Sequence, residues 1–397
     1  MLTGSHQNLL RARERHQHAR VTYVELFFDL VFVFAVTQLS HTLLEHFTPL
    51  GMLQVALLYL AVWWAWINTS WVTNWLEPQY SAVRLMLFVL MLTGLLMSTS
   101  IPKAFEARGL AFALGFAATQ AVRDLFMLWA LRRHNAANFR NFQRIFTWHA
   151  VAIAFWIGGG LAEPPMRLAL WLLALAIDTA GPSLFFWVPG LGRSTIADWD
   201  VEGGHMAERC ALFVIIALGE SVLITGATFA GHDWTLATVA AFAQAFVGSV
   251  AMWWIYFNVG AERASDMIAH ADDPGRLARL VYTYMHLPII AGIIVCAVAD
   301  ELVLAHPAGH SDTRLVIAAV GGPALYLVGN ALFKRTIYGF LPLSHHVGLA
   351  LLLVLAFATP YLPPLAVGTL ATTILVVVAA WETHAQPGRP RRGQAKA

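Results

Sequence analysis

YVELFFDLVFVFAVTQLSHTLL, residues 23–44, is an apolar run carrying two carboxylates, Glu25 and Asp29, near its start. It has the length a bilayer-crossing helix needs, about 20 residues. It follows a basic stretch, as the apolar core of a secretion signal does. It is too long for such a core and no small-residue cleavage site stands out, so it reads as a helix retained in the membrane. Eleven more runs follow, at 51–70, 81–101, 109–131, 144–162, 166–188, 208–230, 234–258, 279–300, 314–333, 345–360 and 362–381. Pro360, Pro363 and Pro364 crowd the junction of the last two. The gaps are too short for a sizeable soluble domain. Of 397 residues, 58% are hydrophobic and 12% charged, about half the charged fraction of an ordinary soluble domain. The expectation is an all-α, polytopic integral membrane protein of about twelve transmembrane helices.

The net charge of +2 says little about partners; where the basic residues fall says more, because cytoplasmic loops carry the excess of Lys and Arg. On a twelve-helix path one side collects Arg11, Arg13, Arg15 and Arg20; Arg132, Arg133, Arg140 and Arg144; Arg193; Arg263, Arg276 and Arg279; Lys334 and Arg335; and Arg389, Arg391, Arg392 and Lys396. The other side keeps Lys103, Arg108, Arg167 and Arg314. This predicts both termini in the cytoplasm. The tail QPGRPRRGQAKA reads as a disordered, cytoplasmic basic segment. Cys210 and Cys296 both fall inside spans, and no disulfide framework is implied.

An internal correspondence links the halves. Val62-Trp63-Trp64-Ala65-Trp66-Ile67-Asn68 matches Met252-Trp253-Trp254-Ile255-Tyr256-Phe257-Asn258. Asp29 lies 34 residues before Trp63 and Glu220 lies 33 before Trp253, while Arg84 and Arg279 open the matching third and ninth spans. The pattern predicts two six-helix repeats of the same orientation, as in transporters built from parallel halves. The boundaries are 1–20 for a basic tail, 21–200 and 201–382 for the halves, and 383–397 for the second tail.

Ionisable groups in hydrocarbon cost on the order of 3 kcal/mol each by insertion scales and persist where they face protein, a partner or water. The spans hold Glu25, Asp29, Arg84, Arg123, Asp124, Asp178, Arg209 and Glu220, with His149 and His286 as further polar groups. Glu25 and Asp29, four apart, share a helix face, and need a cation, a proton or an arginine between them. Two readings stand at even weight: a buried ion-pair network that fixes helix packing, or an acid-lined path for protons or cations. On the second, Glu25, Asp29, Glu220 and Asp178 line the path and Arg84, Arg123 and Arg209 balance them. Glu220 is the deepest acid, and Gly219 beside it would allow close backbone approach. Gln38 and His41 read as interhelical hydrogen bonders. Asp178-Thr-Ala-Gly181-Pro182 reads as a proline kink or as a break beside a carboxylate.

Enzyme-like patterns fail. His41-Thr-Leu-Leu-Glu45-His46 lacks a zinc spacing and a third distant ligand. Asp198, Asp200, Glu202 and Gly203 mimic a calcium loop whose twelfth position is Arg209 rather than Glu. His205, Glu208 and Arg209 read as capping and ion-pairing residues. No phosphate loop, nucleophile elbow or nucleic-acid motif is present.

Two segments resemble the bacterial low-temperature-requirement A (LtrA) family: RVTYVELFFDLVFVFAVTQLSH, residues 20–41, and GHMAERCALFVIIALGES, residues 204–221, with its His-x-x-Glu-Arg and Leu-Gly-Glu elements. Met206 stands where an aromatic is expected. The resemblance spans nearly the whole chain and implies a multi-pass bacterial inner-membrane protein with a role in growth in the cold. It maps the family's motif onto Glu25, Asp29, Gln38, His205, Glu208, Arg209, Gly219 and Glu220. Phe27-Phe28-Asp29 also resembles, weakly, the Phe-Ser-Asp element of a potassium-channel family; Phe28 replaces the serine, so selectivity does not carry over. The expected function is transport or conduction of a small ion or solute. The alternatives are a non-transporting sensor or scaffold for cold adaptation and a lipid-acting membrane enzyme. No cofactor, metal or nucleic-acid partner is expected; the bilayer is, and oligomerisation stays open.

Overall fold

The computed structural model describes residues 8–11, 20–195, 202–258, 267 and 274–384. The basic residues Arg13, Arg15 and Arg263, the calcium-loop mimics Asp198 and Asp200, and the C-terminal tail from residue 385 lie outside them. The described chain is helical throughout: α1 Tyr23–Glu45, α2 Pro49–Trp75, α3 Ser81–Ser100, α4 Gly109–Leu131, α5 Ala136–Leu161, α6 Pro164–Ser183, α7 Gly203–Ala230 and α8 Leu236–Phe257. A long α9, Gly275–Ala305, follows, then α10 Thr313–Tyr338, α11 Leu343–Ala358 and α12 Pro364–His384. Ten are long and apolar enough to cross a membrane. α5 and α6, 26 and 20 residues long, fall short of that measure. α5 opens on the polar stretch Asn138–Arg144, and α6 carries three prolines, Arg167 and Asp178.

Local chemistry sets the ends. Asn135 Oδ1 accepts from the Asn138 N–H (3.0 Å) and Asp312 Oδ1 from the Leu315 N–H (2.8 Å). Pro49 follows the cap Thr48, whose hydroxyl accepts from Gly51 N–H, so orphan donors of the first turns are met. α10 stops where Gly339 takes φ 77°, a left-handed value that glycine adopts without penalty. Several helices outrun their hydropathy runs: α5 begins at Ala136 and α10 runs to Tyr338. Arg140, Arg144 and Lys334, expected in loops, are therefore helical, and Lys334 is buried. Hydropathy registers only the hydrocarbon-depth part of a helix. α6 ends early instead: it passes through Pro182 and stops at Ser183, ahead of Phe185 and Phe186 at positive φ. It does not break beside Asp178.

The chain forms two compact units, Met1–Glu220 with Ser265–Leu287 and Ser221–Ala264 with Pro288–Ala397. In the first, α3 through α6 pack as successive neighbours, α1 lies on α2 and α3, and α2 touches α4 and α6. Short loops make such neighbours antiparallel, so the start of α1 shares one end of the bundle with the ends of α2, α4 and α6. A Cβ at Gly115 would stand 2.8 Å from the Met97 backbone nitrogen, so α4 approaches α3 this closely only without a side chain there. In the second unit α8 packs on α12, and α10, α11 and α12 are mutual neighbours. Gly292 of α9 admits the Tyr326 backbone of α10 in the same way, at 2.6 Å from the Cβ position.

Candidate functional site

The first two turns of α1 place Glu25 and Asp29 on its buried face, both fully shielded. Asp29 Oδ1 accepts from Trp66 Nε1 of α2 at 2.8 Å and from Arg209 Nη2 of α7 at 2.8 Å. Arg209 Nη2 also donates to Ser70 Oγ at 3.1 Å. The guanidinium carbon lies 5.8 Å from the Phe28 ring centre and 5.7 Å from that of Trp66, close enough for cation–π attraction. Glu25 Oε2 accepts from the Thr22 N–H (2.9 Å) and hydroxyl (2.8 Å). Its Oε1 lies 2.8 Å from His205 Nε2, Arg11 Nη2 is 3.4 Å away, and Arg209 Nη1 is 4.0 Å away. Asn74 Nδ2 sits 3.3 Å from His205 Nδ1, so the ring accepts from Asn74 and donates Nε2–H to Glu25. Arg11 is fixed by Nε donating to the Leu76 carbonyl at 2.8 Å.

The two acids differ in satisfaction. Glu25 uses both oxygens. Asp29 Oδ2 and Arg209 Nε and Nη1 are buried without a hydrogen-bond partner. Each such atom costs about 1–3 kcal/mol, more when charged.

A second cluster joins α4, α5 and α6. Asp124 Oδ2 lies 2.5 Å from His149 Nδ1, and Arg123 Nη2 lies 3.0 Å from Asp124 Oδ1. Asp178 Oδ2 accepts from Trp156 Nε1 at 3.1 Å. Arg123 Nη1 and Asp178 Oδ1 have no hydrogen-bond partner. A small cavity opens beside Arg123, Asp124 and His149, walled by Trp64, Trp71 and Phe142. Arg279, Thr283 and Tyr284 complete its wall. They lie in a π-helical turn of α9, Arg279–Tyr284, a local widening of the helix often found at working sites.

The structure thus brings together Glu25, Asp29, His205 and Arg209, and separately sets Arg123 near Asp178. Other expected participants stand elsewhere. Arg84 pairs with no acid among the described residues: it is exposed on α3, and its Nε and Nη2 turn back to the carbonyls of Pro78 and Gln79. The fourth residue of a helix reaches the preceding turn more readily than a neighbouring bundle interior. Glu208 is exposed and accepts the Val21 N–H at 3.0 Å, holding the entry to α1. Glu220 is half-buried and accepts from the Thr37 hydroxyl, and Thr37 is about 12 Å along α1 from Asp29. Among the described residues, no atom of a neighbouring element lies within 4 Å of a Cβ at Gly219, so none of them makes a close backbone approach there. Gln38 is half-buried, about 13 Å from Asp29 along the helix. His41, Glu45 and His46 are exposed, and both cysteines are free and buried. No group of three or more His, Cys, Asp or Glu among the described residues is placed to hold a metal.

Three features escaped the sequence reading. Arg167, expected among the few cations of the non-cytoplasmic side, is buried and donates to the carbonyls of Gly159, Ala104, Glu106 and Ala162 at 2.8–3.2 Å. In the second unit Lys334 Nζ lies 2.6 Å from Glu382 Oε2, with His345 Nδ1 3.3 Å from Oε1. Arg11 joins the Glu25 cluster from what reads as a tail. None of these pairings has a sequence spacing that announces it.

The sequence profile described as bacterial low temperature requirement A protein (LtrA) matches residues 20–380. The uncharacterized protein RA0937 of Rhizobium meliloti (strain 1021) is 42% identical over 383 residues, covering 96% of this chain and 93% of that protein. No solved structure matches. Its apolar helices make it an integral membrane protein, and the match over nearly its whole length means that this chain belongs to the bacterial low temperature requirement A family.

Proposed function

We propose that this protein transports or conducts a small ion or solute across the bacterial inner membrane, crossing it twelve times with both terminal segments in the cytoplasm. One observation carries the reading: the buried Asp29–Arg209 pair keeps three polar atoms unmatched. A purely structural ion pair gains by satisfying every atom, since an incomplete buried pair costs more than an apolar core. Sites that exchange protons, water or a passing ion need such atoms. Asp178 Oδ1 and Arg123 Nη1 extend the same character to the second cluster of this unit. In this reading Asp29 and Asp178 are exchange acids, Glu25 anchors α1 to α7, and Glu220 with Thr37 forms a further polar station on α1 and α7. The correspondence of Asp29 and Glu220 before their Trp-Trp pairs supports two repeated halves, 21–200 and 201–382. The pairs have diverged in setting: Trp63 and Trp64 are buried, Trp253 and Trp254 exposed.

The test is flux in liposomes reconstituted with the full chain, using a pH-sensitive dye, potassium, sodium and neutral osmolytes in separate arms. Expected is flux in one arm that Asp29→Asn removes while the variant still elutes as folded protein. Flux no greater than in empty vesicles in every arm refutes transport. The complete satisfaction of Glu25 favours a second reading, a sensor or scaffold in which α1, α2 and α7 are locked by charge. It predicts that Asp29→Asn changes stability alone.

A further inference from the structure

The second unit contains an acid without a base. A small cavity is lined by Gln244 of α8, Met252 of the same helix, Asp300 and Cys296 of α9, Ala319 and Pro323 of α10, and Thr372 of α12, among others. Among the described residues, no Lys, Arg or His lines it. Asp300 is buried, at 8% exposure, and its Oδ1 meets Gln244 Nε2 only at 3.4 Å. The same Nε2 donates to Thr372 Oγ1 at 2.8 Å, and Gln244 Oε1 is buried with no partner. Pro323 has no N–H, so the Ala319 carbonyl one turn back lacks its helical donor.

From this we infer that the second unit binds a monovalent alkali cation between Asp300, Thr372, Gln244 and the Ala319 carbonyl. Every donor is a hard oxygen once the Gln244 amide turns over, a rotation that exchanges Oε1 for Nε2 at nearly the same place. Oxygen sets of this kind suit hard cations; Met252 and Cys296 also line the cavity, and their soft sulfurs are poor ligands for an alkali ion. One carboxylate neutralises one positive charge; a divalent ion would leave an unbalanced charge in an apolar enclosure. The enclosure is built for close approach. A Cβ at Gly248 would stand 3.2 Å from Thr372 Oγ1, and one at Gly368 would stand 2.8 Å from Gln244 Oε1. Asp300 lies five residues before the end of α9, and Ala319, Gln244 and Thr372 lie six to eight residues into α10, α8 and α12. All four are thus about 8–12 Å below one end of the unit. A helix relieved of one hydrogen bond beside a carboxylate is a recurrent way to coordinate ions at membrane depth. The inference concerns binding and stands whether or not the first unit transports anything.

The experiment is a thermal melt of the purified full chain in detergent at fixed pH and fixed ionic strength, exchanging choline chloride for sodium, lithium or potassium chloride. Expected is a saturable rise in Tm with at least one alkali cation and none with choline. Asp300→Asn should lose that rise, and Thr372→Val should shift its midpoint to higher cation concentration. Choline matching the alkali cations overturns the inference, as does an undiminished response in Asp300→Asn. If Asp300→Asn does not fold, Thr372→Val decides: an unchanged midpoint overturns the site. A protonated Asp300 hydrogen-bonded to Gln244 would give melts that follow pH and ignore the cation, and that result also overturns it.

Discussion

Replacing Arg209 by Met leaves Asp29 buried with only the Trp66 indole at 2.8 Å. Glu25 loses little, because Arg209 is 4.0 Å from it while His205 and Arg11 remain. The cost therefore falls on Asp29, and removing one partner of a buried pair costs about 3–5 kcal/mol. Asp29→Asn is milder. The amide oxygen still accepts from Trp66, and Arg209 keeps Ser70 and its two rings, so the loss is about 1.5–3 kcal/mol for one charge-assisted bond. The double variant has no stranded charge at Asp29 and keeps the indole bond. It should be more stable than Arg209→Met alone, with a coupling energy of at least about 1.5 kcal/mol. Reversible unfolding of the four proteins in mixed micelles, followed by circular dichroism, measures the cycle. Additivity within about 0.5 kcal/mol would refute the claim that these side chains act as one buried pair.

Arg84→Gln, which touches only carbonyls of its own turn, should change stability by less than about 0.5 kcal/mol and leave any flux intact; a loss of flux would return Arg84 to the path. Arg167→Lys cannot fork among four carbonyls and should cost about 2–4 kcal/mol in the same micelle assay. Lys334→Met should cost about 3–5 kcal/mol, and Lys334→Met with Glu382→Leu should recover most of it. Gly292→Val should fail to yield folded protein on size exclusion, since its side chain would overlap the Tyr326 backbone.

Helix positions were largely legible because hydrocarbon leaves a long, unambiguous mark on composition. The Asp29–Arg209 pairing was partly legible: both charges stand at matching depth near the starts of α1 and α7. Which base serves which acid was not. Arg84, Arg123 and Arg209 looked equivalent, and only packing separates them: Arg84 faces outward, Arg123 is held by Asp124 on its own helix, and Arg209 crosses to α1. Asp300 and Glu382 stood near the ends of their runs, where acids are commonplace, so nothing in the sequence distinguished them from solvated residues.

The element Phe27-Phe28-Asp29 shows how three adjacent residues divide one task. Successive positions on a helix turn by about 100°. Phe27 accordingly faces outward, 55% exposed, while Phe28 and Asp29 are fully buried. Phe28 lies under the Arg209 guanidinium that Asp29 binds from the side. The ring therefore belongs to the charge site: its centre lies 5.8 Å from the guanidinium carbon and its face offers no second hydrogen-bond acceptor. A serine in that place would supply an oxygen and remove the stacking face. The carboxylate and the guanidinium are thus constrained by an apolar surface on one side and by Trp66 and Ser70 on the other. That confinement keeps Arg209 from swinging fully to Glu25, and it accounts for two acids one turn apart having such different company.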